Sequence, residues 1–147
     1  MNMNDKNIED LIKKIIMEEI SKNDSGTKFM DKSGIGVVKT DKITPERFDT
    51  GNPTDKVFVT DLFSVEESPR IGCGVMEMTA STFDWTLKYD EIDYIIEGTL
   101  EVIIDGRKVI GNKGDVILIP KNSTIKFSVP EYAKFIYVVY PANWQSL

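Results

Sequence analysis

From Lys56 to the C-terminus the chain is a succession of short apolar runs punctuated by turn residues, which is how an antiparallel sandwich or barrel reads. The runs cover residues 56–60, 71–79, 82–88, 94–104, 108–110, 116–119, 124–129 and 135–140, giving seven or eight strands. Asp105-Gly106 is a hairpin signal, because a type I′ turn needs positive φ at both central positions, which Asp tolerates and Gly permits. Gly111, Gly114, Pro120 and Pro130 break up the later strands. Between Gly98 and Ile104 the alternation puts Leu100, Val102 and Ile104 on one face and Glu101 and Ile103 on the other, so that strand has one wet side. Residues 116–119 and 135–139 are apolar at consecutive positions and call for cover on both faces. A two-fold partner, or an N-terminal segment lying across the sheet, would supply it.

The 147 residues suit one such body, and an apolar content of 41% is enough to build its core. Ahead of the strands, Ile8, Leu11, Ile12, Ile15, Ile16 and Ile20 form the stripe of an amphipathic helix over residues 8–20. Asp24, Ser25 and Gly26 stop it, and Gly34 and Gly36 interrupt the stretch beyond. The expected division is therefore a helix and flexible joint over residues 1–30 and a single β-barrel domain over 31–147. Residues 40–56, polar and carrying Pro45, Gly51 and Pro53, read as a covering loop or arm. A net charge of −6 without a basic block argues against nucleic-acid or membrane binding. The lone Cys73, the lack of a membrane-length apolar run and the lack of a signal-peptide core point to a cytoplasmic protein.

The string E-x-x-Y-I-I-E-G-T-L-E-V-x-I-D-G at residues 91–106, followed by G-D-V-I-L-I-P from Gly114, resembles the two consecutive motifs of the cupin family. That resemblance implies an all-β cupin-type antiparallel β-barrel, a jelly roll, behind the short N-terminal amphipathic helix. In cupins the motifs supply three histidines and a glutamate to a divalent metal. The corresponding places here are Trp85 and Leu87 (or Asp84 and Thr86), Glu91 and Ile125. The chain has no histidine at all, so only Glu91 remains, and a lone carboxylate cannot select a transition metal. No metal is expected in the usual cupin position, and the metal-dependent oxygenase and isomerase chemistries fall with it.

The longer strings "FDWTLKYDEIDYIIEGTLEVIIDGR", "GDVILIPKNSTIKFS" and "FIYVVYPANWQ" are similar to the EutQ family of ethanolamine-utilisation cupins. The resemblance implies a homodimer associated with a bacterial microcompartment and an acetate kinase activity using ATP and magnesium. Longer members carry an N-terminal extension that this chain largely lacks. By analogy with terminal docking helices of such compartments, residues 8–20 are the candidate contact to shell or cargo proteins. The chain has no G-x-x-x-x-G-K-[ST], and no G-x-G-x-x-G opens a helix, so a nucleotide site would be of an unfamiliar kind.

By strand alternation Trp85, Leu87 and Tyr89 share a face, and the cupin correspondence turns Glu91 inward with them. A carboxyl buried beside Trp85 and Tyr89 loses hydration and gains a raised pKa. It can then act as a general acid or base, or as a hard magnesium ligand with a neighbour such as Asp93. Glu91, Tyr89 and Asp93 are the candidate catalytic residues. Trp85, Tyr94, Lys121 at the rim, and Tyr137 on the last strand are the candidate substrate contacts. Trp144, beyond Pro141, is expected to pack back on the barrel. Two functions compete: an ATP-dependent acetate kinase, or a metal-free cupin that holds a ligand or partner without chemistry.

Overall fold

The computed structural model describes residues 3–23 and 26–147, and the chain divides between Ile43 and Thr44 into two compact units. The first unit holds helix α1 (Met3–Asn23) and an antiparallel hairpin of β1 (Lys28–Met30) and β2 (Gly36–Val38). The helix contains the expected stripe, and Ile8, Leu11, Ile12, Ile15 and Ile16 along it are half or more exposed. Of the stretch read as a joint, residues 24 and 25 lie outside the described residues, and the remainder forms the hairpin. Gly34, at φ +90°, closes its turn by donating to the Asp31 carbonyl at 2.9 Å. Those strands are three residues each, too short for alternation to betray them.

The second unit is built from β3 (Glu46–Arg47), β4 (Lys56–Asp61), β5 (Gly72–Thr86), β6 (Asp90–Ile104), β7 (Arg107–Asn112), β8 (Val116–Ile119) and β9 (Thr124–Tyr140). They pair antiparallel in the order β3-β4-β5-β9-β6-β7, with β8 also on β6. Two pairs of expected strands are each a single long one. Between 79 and 82 the chain does not turn but bulges: Ala80 adopts φ +41° and the pairing with β9 slips between Thr79 and Ser81. Opposite that bulge β9 runs on through Pro130, whose missing N–H falls in the gap of the ladder. Asp105 and Gly106 join β6 to β7 at φ +49° and +73°, the left-handed pair that a type I′ turn requires.

Bent at these bulges, β5, β6 and β9 curl round a core in which Val57, Val75, Met78, Leu87, Ile95, Leu100 and Phe135 are completely enclosed. One outer face stays open. Ile92 and Tyr94 on β6 stand opposite Leu118 and Val116 of β8, Ile92 also pairs with Val138 of β9, and all five are 38–66% exposed. Tyr140, 60% exposed, extends the same strip. The consecutive apolar residues of β8 and β9 are therefore covered on the inner face only.

Gly74 is a point of close packing, because a Cβ there would fall on the ring and hydroxyl of Tyr137 across the β5–β9 pair. Gly74→Ala should lower stability by about 1–3 kcal/mol through forced displacement of Tyr137. Chemical denaturation measures it, and an unchanged midpoint would show that the ring moves freely.

Candidate functional site

The segment from Trp85 through β6 points alternate side chains into the barrel: Leu87, Tyr89, Glu91, Asp93 and Ile95 are buried, whereas Lys88, Asp90, Ile92 and Tyr94 face out. Two carboxyl groups two residues apart thus lie side by side in an apolar interior. Glu91 is 5% exposed and Asp93 fully enclosed. Among the described residues the Asp93 oxygens meet no donor apart from the neighbouring Glu91 carboxyl. Burial raises the pKa of both groups, Glu91 to about 7, with the Asp93 carboxyl and the Tyr89 hydroxyl beside it offsetting part of the rise. Asp93 is held well above the carboxylate range by burial and then by the Glu91 charge. Two such groups cannot both ionise without leaving two charges unpaired in a medium of low polarity, so the pair keeps a proton near neutrality and titrates as a unit.

Aromatic rings close over this pair. Trp85 donates its indole N–H to the Tyr89 hydroxyl at 2.8 Å. Trp144, in the short 3₁₀ turn Trp144–Ser146, folds back so that its ring lies 5.7 Å from Tyr89, 5.8 Å from Tyr137 and 6.3 Å from Trp85, centroid to centroid. Phe48, just after β3, abuts Trp85 edge-on at 5.6 Å. Asp61 at the end of β4 ties the roof down, accepting from the Tyr137 hydroxyl at 2.7 Å, the Trp144 indole at 3.3 Å and the Gln145 amide at 3.1 Å. Burial, then the bond to Asp61, pushes the Tyr137 pKa above its ordinary value, so it remains a neutral donor. Burial likewise raises Tyr89 and, on β5, Cys73, which stays a thiol.

Between these rings lies a narrow cleft whose water-accessible space of about 10 Å³ holds roughly one water molecule. Among the described residues Glu91 is its only charged lining group, and no lysine or arginine borders it. Of the candidate residues, Trp85, Tyr89, Glu91 and Tyr137 line the cleft and Asp93 lies on the same inward strand face. Tyr94 and Lys121 are exposed on the outside, where the backbone N–H of Lys121 binds Asp90 at 2.8 Å. Sequence reasoning gave no site role to Phe48, Phe83, Asp61 or Trp144. The one available signal was Phe48, a lone aromatic in a polar stretch.

The donor set does not fit a cupin metal. Leu87 and Ile125 fill two of the ligand places as buried hydrocarbon, and among the described residues no group of three or more Cys, Asp and Glu side chains converges. Magnesium also fits the cleft poorly, because that ion keeps several waters and the accessible space holds about one.

The profile described as "Ethanolamine utilisation protein EutQ" matches residues 3–146. The chain belongs to the EutQ family. It is 58% identical to "Acetate kinase EutQ" of Clostridioides difficile, over 97% of this chain and 95% of that one. It is 40% identical to the Salmonella typhimurium protein of the same description, over 84% of this chain but only 53% of the relative. The solved C. difficile EutQ structure superimposes with a TM-score of 0.80, covering 82% of this chain and 90% of that one. The cupin domain of Schizosaccharomyces pombe Cnp3, 16% identical with a TM-score of 0.58 over 75% of this chain and 77% of that one, shows the shared fold alone. The barrel is a cupin barrel. The short C. difficile relative carries the same description as the long enterobacterial one, so that description does not depend on the extra length.

Because folding raises the Glu91 pKa from about 4.5 to about 7, the folded state binds its proton more tightly than the unfolded chain. This contribution is fully present below pH 4.5 and is lost as pH rises to about 7, on the order of 3 kcal/mol in all. Glu91→Gln, which keeps the shape of the neutral form, should flatten the fall. Denaturation midpoints from pH 4.5 to 8 measure it, and parallel curves for wild type and variant would contradict the assignment.

Proposed function

We propose that this EutQ-family chain is a cytoplasmic acetate kinase of ethanolamine utilisation, acting with a bacterial microcompartment. In the reaction an acetate oxygen forms a bond to the γ-phosphorus of ATP as the bridging P–O bond to ADP breaks, giving acetyl phosphate. The observation that carries this reading is the near end-to-end match to a relative called acetate kinase. Tyr89, Glu91 and Asp93 are the acting residues, and Trp85 and Tyr137 the contacts for the small acceptor. A neutral Glu91 can donate to one acetate oxygen where an ionised one would repel it. Lys121 and Tyr94 lie on the outer surface, away from the cleft, and take no part in this reading. Acetyl phosphate captured as the hydroxamate should appear from acetate and MgATP, and Glu91→Gln should slow its formation by roughly 100-fold. Equal rates for variant and wild type would remove Glu91 from the chemistry.

The lack of a cationic side chain among the described residues around the cleft supports a second reading, a metal-free ligand-binding cupin without turnover. Nucleotide titration separates the two, since heat from ATP at micromolar concentration counts against the second.

The open strip Ile92, Tyr94, Val116, Leu118, Val138 and Tyr140 supports a homodimer, because cross-strand apolar neighbours without charges resemble the core of an interface between identical chains. Light scattering should give twice the 16.6 kDa chain mass, and Leu118→Glu should halve it. A monomeric wild type overturns the assignment. The exposed isoleucines of α1 support docking to shell or cargo proteins. Ile12→Glu with Ile16→Glu should abolish co-localisation with shell particles and leave melting unmoved, whereas a large loss of stability would make the helix structural.

A further inference from the structure

We propose that the turn carrying Trp144 is a lid over Glu91, latched by Asp61, and that a small ligand reaches the buried carboxyl only when the lid lifts. Asp61 does not line the cleft and acts through Trp144 and Tyr137, which makes it a positioning residue. The lid goes beyond the catalytic reading, which names acting groups but not how anything arrives at them.

The size of the space requires a moving part. With the roof in place, the water-accessible room beside Glu91 is about 10 Å³, enough for roughly one water molecule. Acetate is several times larger than water. The enclosed arrangement is therefore the closed state of any site that admits it.

Anchorage singles out which part moves. Most of the lining comes from β5, β6 and β9, each held by neighbouring strands on both sides. Phe48, Tyr89 and Trp144 are the lining residues outside those strands. Tyr89 is pinned on both sides. Ahead of it Leu87 exchanges backbone bonds with Asn122 and Ser123 at 2.8 and 3.0 Å, and after it the Asp90 carboxylate accepts from the Lys121 N–H at 2.8 Å. Phe48 is pinned by its own N–H, which donates to the Val57 carbonyl at 2.8 Å, and by a stapled loop beyond it. There Asp55 accepts from Thr50 at 2.6 Å and Asn52 at 3.2 Å, and Arg47 donates to the Pro53 carbonyl at 2.6 Å. Trp144 is tied more lightly. Ala142, lying against Gly72 and donating to the Arg70 carbonyl at 3.0 Å, fixes the near end of the turn. From Asn143 onward, among the described residues, the hydrogen bonds are internal to the turn except those of the Trp144 indole and the Gln145 amide to Asp61.

Those two bonds make a latch that releases. Asp61 is exposed, so water takes over as partner when the turn lifts. The rings of Trp85, Tyr89 and Tyr137 favour the closed state by apolar contact with Trp144, which has no fixed direction to lock it. Opening exposes one indole and leaves the paired strands intact. The open form is a minor population of the native chain, as active-site lids are drawn from the least stable part of a fold.

Hydrogen exchange of the two indole N–H groups in the free full chain, read by NMR, tests the lid. The Trp85 indole, bonded to the Tyr89 hydroxyl under the roof, reports opening without touching Asp61. In the wild type both indoles should exchange faster than the backbone amides around the enclosed Phe135, and should respond less to added denaturant. Asp61→Ala should speed both indoles by at least about tenfold, and Gln145→Ala, which alters only an exposed amide, by about threefold. A water-soluble carbodiimide with methoxyamine, followed by peptide mass spectrometry, should label Glu91 at least about tenfold faster in Asp61→Ala than in the wild type, with exposed Glu66 labelled equally in both. Indoles that exchange with the rate and denaturant response of the Phe135 amides, a Trp85 indole unmoved by Asp61→Ala and Gln145→Ala, or equal labelling of Glu91 would overturn the proposal. Neither readout uses ATP or acetate, so failure of the kinase reading leaves the lid standing, and the reverse also holds.

Discussion

Two carboxyl groups that cannot both be charged sit side by side on the inward face of β6, and the rest of the interior is arranged around that constraint. Glu91 and Asp93 are compatible with an apolar barrel because a proton is retained between them and because Tyr89 turns its hydroxyl toward Glu91. Trp85, Leu87 and Ile125 form a hydrocarbon and aromatic shell around Glu91, and in that shell the acid has a changed chemistry.

The roof of the site depends on a second carboxylate in a different setting. Asp61 is exposed and accepts three hydrogen bonds from Tyr137, Trp144 and Gln145, so a few polar contacts fix the C-terminal turn over the cleft. Tyr137 reaches Asp61 only because Gly74 leaves its ring room against β5. A glycine, a tyrosine and an aspartate from three strands therefore set the position of Trp144, and Trp144 in turn sets how much of the cleft is open.

The barrel was legible because period-two alternation and turn chemistry act over a few residues: Leu100 and Val102 fell inward, and Asp105-Gly106 made its turn. Leu87 and Tyr89 were legible as inward for the same reason, the cupin correspondence added Glu91, and the inward position of Asp93 came from the structure. The features that escaped are those fixed by distant partners. The bulge at Ala80 and the passage of β9 through Pro130 look like strand ends in sequence, and become continuous only because each lies opposite the other. Phe48 and Asp61 join the site through tertiary packing that leaves no local pattern. Tyr94 could not be told from its inward neighbours by residue type, and only its parity along β6, with exposure of 48%, assigns it to the outer strip.

The barrel keeps a shared proton on its buried pair of carboxyl groups, Glu91 and Asp93. Carbon-13 NMR of the carboxyl groups, assigned by comparison with Glu91→Gln and Asp93→Asn, tests it most directly. The Glu91 and Asp93 signals should move together, still partly protonated near pH 7. Two independent signals at the shifts of ordinary carboxylates by about pH 5 would contradict it.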